Sequence, residues 1–159
     1  MPWIEEALRR VNFSYIIENE IAGMSGPDGD AYEALKKIGI RGVVSLHFHP
    51  RPPDEKLGIA YLHEPIEDFS PPTFGQMDGI VEFIRRNRPA AVHCGAGYGR
   101  TGTVIAGYLA AEHHLSADEA IRRVQEARPG SIETHSQREF VFMYAEALGG
   151  KRDEEHTSE

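Results

Sequence analysis

Between Ala90 and Glu112 the residue pattern changes twice within a few positions, and this constrains the fold more than any other stretch. Ala90 to His93 (AAVH) is short and apolar enough for a buried strand. It runs directly into Cys94-Gly95-Ala96-Gly97-Tyr98-Gly99-Arg100-Thr101-Gly102, and Val104 to Glu112 then carries the apolar content of a helix. A strand that passes through a glycine-rich loop into a helix is a building unit of α/β folds. The expectation is an α/β domain with a central, mainly parallel sheet flanked by helices.

The remaining segments fit that class. Phe13 to Ile17 (FSYII) and Val43 to Leu46 (VVSL) read as strands, and Asp30 to Ile38 has helical spacing that stops at Gly39. Pro50, Pro52 and Pro53 break the pattern into a loop, Ile59 to His63 resumes as a strand, and Ser70-Pro71-Pro72 marks a second break before a helix from Thr73 to Asn87. Ser116 with Glu119, and Thr134 with Gln137, have the spacing of capping boxes for helices that should end at Ala127 and Leu148. One domain over 1–148 is expected, followed at 149–159 by a polar, charged tail expected to be flexible. At 159 residues and 40% hydrophobic content, one core is the natural reading.

Composition narrows the function. No run approaches the roughly 18 consecutive apolar residues of a membrane span, and the amino terminus lacks a basic segment followed by an apolar one. The net charge of -8 argues against an electrostatic grip on nucleic acid or on an anionic membrane, so any anion site must be local. A single cysteine excludes an intramolecular disulfide and with it a disulfide-stapled scaffold. A cytoplasmic monomer is expected, with neither nucleic acid nor membrane as partner.

The loop itself has the makings of a phosphate site. A chain that curls around a tetrahedral anion must present backbone N–H groups and keep side chains clear, which Gly95, Gly97 and Gly99 permit. The following helix adds its positive end. Arg100, six residues after Cys94, can fold back and hold two phosphate oxygens through its planar fork. In such a field a cysteine thiol loses its proton easily, with pKa values of roughly 3.5 to 7.5. Cys94 would then attack phosphorus as a thiolate and leave again when water attacks the phosphocysteine. Thr101 can donate its hydroxyl to the departing sulfur, and His93 is expected to orient the loop by ring hydrogen bonds rather than to act as a base. Alone, Cys94 would read as a small core hydrophobe. The combination of histidine, cysteine, alternating glycines, arginine and threonine between a strand and a helix does not.

His93-Cys94-x-x-Gly97-x-x-Arg100-Thr101-Gly102 resembles the signature of the cysteine-based protein tyrosine phosphatase superfamily. Asn12-Phe13-Ser14, Asp68-Phe69-Ser70-Pro71-Pro72 and Arg128-Pro129-Gly130-Ser131-Ile132-Glu133-Thr134 extend the likeness to small atypical dual-specificity phosphatases of the VHZ type. The resemblance implies a general acid on a loop before the signature, and Asp68 occupies that place. A carboxylic acid opposite the nucleophile can protonate the leaving oxygen and then help activate water. Asp68 is also good turn chemistry, and Glu64 and Glu67 are nearby rivals. The resemblance further implies that Gln137 positions the hydrolytic water and that Glu133 couples to the loop, although Gln137 is already explained as a helix cap. No cofactor or metal is called for.

None of the variable loop positions Gly95, Ala96, Tyr98 and Gly99 is basic, which favours a simple monophosphate over a multiply charged headgroup. The resemblance turns this into a phosphorylated protein or peptide, with phosphotyrosine faster than phosphoserine or phosphothreonine. Other readings stand beside it. They are a phosphate-binding module with weak or no catalysis, a phosphatase acting on a non-protein monophosphate, and a cysteine redox or arsenate-reducing enzyme. The last needs partner cysteines that this chain does not have.

Overall fold

The computed structural model describes the backbone of residues 1–157 and the side chains of residues 1–152. The elements run α1 (Pro2–Arg10), β1 (Ser14–Ile17), β2 (Ile21–Met24), α2 (Gly29–Lys37), β3 (Gly42–Ser45), a 3-10 turn (Glu55–Leu57), β4 (Ala60–His63), α3 (Phe74–Arg86), β5 (Ala90–His93), α4 (Gly99–His113), α5 (Ala117–Ala127) and α6 (His135–Thr157). Five strands form one sheet in the order β1-β2-β5-β3-β4. Only β1 runs antiparallel to its neighbour, and the other pairs are parallel. The mainly parallel sheet expected from the sequence is therefore present.

Burial on both faces explains why the central strands are short, apolar and without alternation. All four residues of β2, β3 and β5 are buried. Successive residues serve opposite faces: Val44 and Val92 join a core with residues of α3, α4, α5 and α6, while Val43 and Ala91 join a second with residues of α2. The parallel register sets Met24, His93, Ser45 and His63 in one row, so β2, β5, β3 and β4 all end at the same edge. Loops leaving that edge are brought together, as is usual for ligand sites in parallel sheets.

Local signals place the helices that carry the site. Thr73 and Gln76 form a reciprocal capping box at the start of α3. Ser116 Oγ accepts from the Glu119 N–H at 3.2 Å. At α6 the Gln137 N–H donates to Thr134 Oγ1 at 3.2 Å, and the Thr134 N–H donates to Gln137 Oε1 at 3.1 Å. Such caps are each worth about 1 kcal/mol.

Beyond shifts of a residue or so at element ends, four elements differ from the sequence reading. The helix α1 and the strand β2 were not foreseen: Ile21–Met24 contains a glycine and is too short to show a period, and its strand character comes from pairing on both sides. The helix α4 starts at Gly99, inside the glycine-rich segment, rather than at Val104. The last helix does not stop at Leu148 but continues through Gly149 and Gly150 to Thr157. The two glycines lower helix propensity by about 1 kcal/mol each, yet Arg152 Nη1 lies 2.8 Å from His114 Nδ1 and ties the extension to the end of α4. Residues 158–159 of the expected tail lie outside the described residues. None of the described helices is long and apolar enough to cross a membrane.

Candidate active site

The loop between β5 and α4 closes at the sheet edge where the parallel strands end. Its carbonyls are engaged on the outside. Gly95 O accepts from the Gly26 N–H at 3.3 Å, and Gly97 O accepts from Arg128 Nε at 3.1 Å and Nη2 at 2.8 Å. Tyr98 O accepts from the N–H groups of Gly102 at 2.9 Å and Ile132 at 3.3 Å. In a trans peptide the N–H points opposite to the carbonyl. The N–H groups of Ala96, Tyr98 and Gly99 are thereby turned inward, forming the donor ring that an oxyanion needs. Gly97 makes this curl possible: its φ is +87°, and a Cβ there would stand 2.6 Å from the Met24 carbonyl oxygen.

Cys94 sits at the floor of the loop, 3% exposed. Thr101 Oγ1, from the first turn of α4, donates to Cys94 Sγ at 3.0 Å. Arg100 folds back over the loop: its Nη2 would be 3.5 Å from a Cβ on Gly95, and its Nη1 donates to the Ile66 carbonyl at 2.9 Å. Asp68 Oδ1 stands 3.6 Å from Arg100 Nε. The sequence-predicted Cys94, Arg100 and Thr101, from one continuous segment, are thus brought together with Asp68 from a second.

Asp68 lies in a different environment from the loop. Its side chain is 62% exposed, and its carboxylate accepts from the Phe69 N–H at 3.0 Å. Phe69 takes φ +64°, and its carbonyl accepts from Thr134 Oγ1 at 3.0 Å, which ties this turn to the start of α6. Asp68 and Glu67 share with Arg100 the lining of a cleft of about 750 Å³, whose other wall is His47, Phe48 and His49. Glu64 instead accepts from Gln76 Nε2 at 3.3 Å and does not line that cleft.

His93 is fully buried, with Nδ1 3.4 Å from the Cys94 carbonyl. Burial pushes its pKa down from 6.5 to about 4, so the ring is neutral at pH 7. That suits a positioning role. Gln137 is likewise buried: its Oε1 accepts from the N–H groups of Glu133 at 2.8 Å and Thr134 at 3.1 Å. A Cβ on Gly99 would lie 2.5 Å from Glu133 Oε1 and 3.2 Å from Gln137 Nε2, so both side chains press against the loop. The ring of Tyr98, by contrast, turns outward, where its hydroxyl accepts from Asn12 Nδ2 at 2.6 Å. The loop therefore offers backbone and Arg100 to an anion, with no basic side chain from its variable positions.

Three contributors escaped the sequence reading. His47 and Phe48 follow β3 and form the cleft wall, with Phe48 75% exposed. Arg128 closes the loop from behind. Its segment and Asn12-Phe13-Ser14 are each recognisable in the sequence, but only the fold shows that Arg128 Nη1 bonds the Asn12 carbonyl at 2.6 Å.

A family model described as the Swiss Army Knife protein, DSP-PTPase phosphatase domain (PTP-SAK) matches residues 10–141. Protein tyrosine phosphatase domain-containing protein 1 of the mouse, Mus musculus, is 30% identical over 175 residues, covering 89% of this chain and 23% of the relative. The bovine (Bos taurus) counterpart is 29% identical, with 86% and 21% covered, so the chain spans less than a quarter of these relatives. Among solved structures, Tk-PTP in its active form superposes with a TM-score of 0.76 and 31% identity, over 84% of this chain and 96% of that one. PTPMT1 shares the fold at a TM-score of 0.78 and 21% identity, over 89% and 99%. With the signature loop, its arginine and its cysteine set at the sheet edge as described, the chain belongs to the PTP-SAK family of dual-specificity-type protein tyrosine phosphatase domains.

Proposed function

We propose that this domain hydrolyses phosphomonoesters on proteins or peptides, phosphotyrosine fastest and phosphoserine or phosphothreonine more slowly, through a phosphocysteine. The inward N–H groups and Arg100 hold the phosphoryl oxygens. Cys94 Sγ attacks phosphorus, the bond to the leaving oxygen breaks, and Asp68 as a carboxylic acid gives that oxygen its proton. The Asp68 carboxylate then takes a proton from water, whose oxygen attacks phosphorus while the sulfur–phosphorus bond breaks. The Thr101 hydroxyl, donating to Sγ, stabilises the thiolate as it departs. Gln137 and Glu133 press on the loop at Gly99, and the family likeness assigns Gln137 to the hydrolytic water.

The observation that carries this reading is the convergence of Thr101 Oγ1, 3.0 Å from Cys94 Sγ, with Asp68 and Arg100 at the loop's mouth. The exposed Phe48 beside Arg100 offers an aryl ring a wall to pack against, which supports phosphotyrosine over aliphatic esters. The acidic balance and single cysteine support a cytoplasmic enzyme that acts without nucleic acid or membrane.

A related fold, PTPMT1, has been solved in complex with PI(5)P, so the test includes a lipid arm. Initial rates are measured on a phosphotyrosine peptide, a phosphothreonine peptide and a soluble phosphoinositide, with the wild type and Cys94→Ser. The expected order is phosphotyrosine, phosphothreonine, phosphoinositide, all lost in Cys94→Ser. Activity surviving in the variant contradicts the mechanism, and a phosphoinositide rate above both peptides contradicts the substrate.

A further inference from the structure

Arg128 closes α5 and is 2% exposed, yet among the described residues its five hydrogen bonds reach no carboxylate. Nε and Nη2 both grip the Gly97 carbonyl, at 3.1 and 2.8 Å. Nη1 donates to the carbonyls of Asn12 at 2.6 Å and Gly23 at 2.9 Å, and to Ser14 Oγ at 2.8 Å. Buried arginines are ordinarily paired with an opposite charge. Burial pushes the pKa of this guanidinium below its ordinary value, with neighbouring Tyr98 and Cys94 opposing the shift in part. It stays protonated at neutral pH.

Two features set Arg128 against the loop. A Cβ on Gly23 would stand 2.8 Å from Arg128 Cδ and 3.1 Å from Thr101 Cγ2. Arg128 thus packs beside the threonine that bonds Cys94 Sγ. The peptide joining Gly97 to Tyr98 also starts at a glycine in the left-handed region, where a peptide flip meets little steric resistance. Two N–H donors on one carbonyl fix the plane of that peptide.

We propose that Arg128 is a positioning residue for phosphoryl binding: it holds the Gly97 carbonyl outward so that the Tyr98 N–H faces the phosphoryl group, and it adds a second positive charge behind the loop. The negative charge it lacks in the fold is supplied by the site, as thiolate and phosphoryl oxygens. This rests on the loop being a phosphoryl site, as proposed above.

The test is protection of Cys94 against iodoacetamide by inorganic phosphate, in wild type, Arg128→Met and Arg128→Lys, with folding checked by circular dichroism. In folded Arg128→Met the phosphate concentration giving half protection rises at least about tenfold, the loss expected for a charge-assisted contact. Arg128→Lys, which keeps the charge but cannot reproduce the fork, falls between the two. A folded Arg128→Met within twofold of wild type overturns the proposal, since a merely structural role would lower thermal stability without moving anion affinity. If Arg128→Met does not fold, Arg128→Lys decides: half protection shifted about threefold or more supports the role, and a smaller shift overturns it. Protection requires no turnover. A wild type protected by phosphate but inert toward phosphomonoesters would refute the proposed reaction and leave the role of Arg128 standing.

Discussion

The signature loop and the Asp68 turn face each other across one cleft, but they are held in opposite ways. The loop is held firmly from behind, with Gly95 and Ala96 open at its mouth. Its carbonyls are taken by Gly26, Arg128 and Ile132, its cysteine is 3% exposed, and Met24 presses on Gly97. The Asp68 turn has a side chain 62% exposed, a phenylalanine in the left-handed region, and a tether through Thr134 to Phe69. A dense environment suits groups that must keep one geometry through the reaction. An exposed turn suits an acid that exchanges its proton with water. The division of labour predicts that damage to the loop appears in both stability and catalysis, whereas damage to the turn appears in catalysis alone.

The largest effect should come from Gly97→Ala. A Cβ there meets the Met24 carbonyl at 2.6 Å while the backbone keeps φ +87°, so the loop must distort. A loss of about 2 to 4 kcal/mol in denaturant unfolding is expected, together with a turnover loss of at least about a thousandfold. A stable, active Gly97→Ala would mean that the loop is not rigidly determined.

Next comes Asp68→Asn. Turnover of a substrate with a poor leaving group should fall by about 10² to 10⁴-fold, as general acid catalysis contributes. A substrate with a good leaving group should suffer much less, and unfolding stability should stay within about 0.5 kcal/mol. Equal losses on both substrates would remove Asp68 from the acid role, and Glu67, which lines the same cleft, would be tested in its place.

The buried side of the comparison also has a pH signature. His93 has a folded pKa of about 4 against an ordinary 6.5, so between these values the unfolded chain binds the extra proton. Its contribution to stability is complete above pH 6.5 and is lost as the pH falls toward 4, by up to roughly 3 kcal/mol. Urea unfolding measured from pH 4 to 7 should show this slope in the wild type and a flatter one in His93→Asn. The smallest effect is expected for Phe69→Ala in the exposed turn, a stability change within about 0.5 kcal/mol. A larger loss would show that the turn is as firmly held as the loop.

Much of this division could be read in the sequence, but unevenly. The strand Ala90 to His93 was legible to the residue because its apolar run ends in an unmistakable loop, and the caps at Ser116 and Thr134 announced α5 and α6. Cys94, Arg100 and Thr101 lie within eight consecutive positions, so local chemistry sufficed to single them out. Strand β2 was not legible, since Ile21–Met24 is a strand only because β1 and β5 pair with it. The cleft wall at His47 and Phe48 and the grip of Arg128 on Gly97 were equally hidden. They depend on contacts between segments distant in the sequence, 31 residues for Gly97 and Arg128, which no local pattern encodes.

The central claim is that Cys94 carries the phosphoryl group between two half-reactions, and it can be tested by catching that species. The wild-type enzyme turning over an aryl phosphate is quenched rapidly, digested, and its peptides are mapped by mass spectrometry. A phosphoryl adduct on Cys94, more abundant in Asp68→Asn where water activation is slowed, is the predicted result. Turnover with no adduct on Cys94, or an adduct on a different residue, would contradict it.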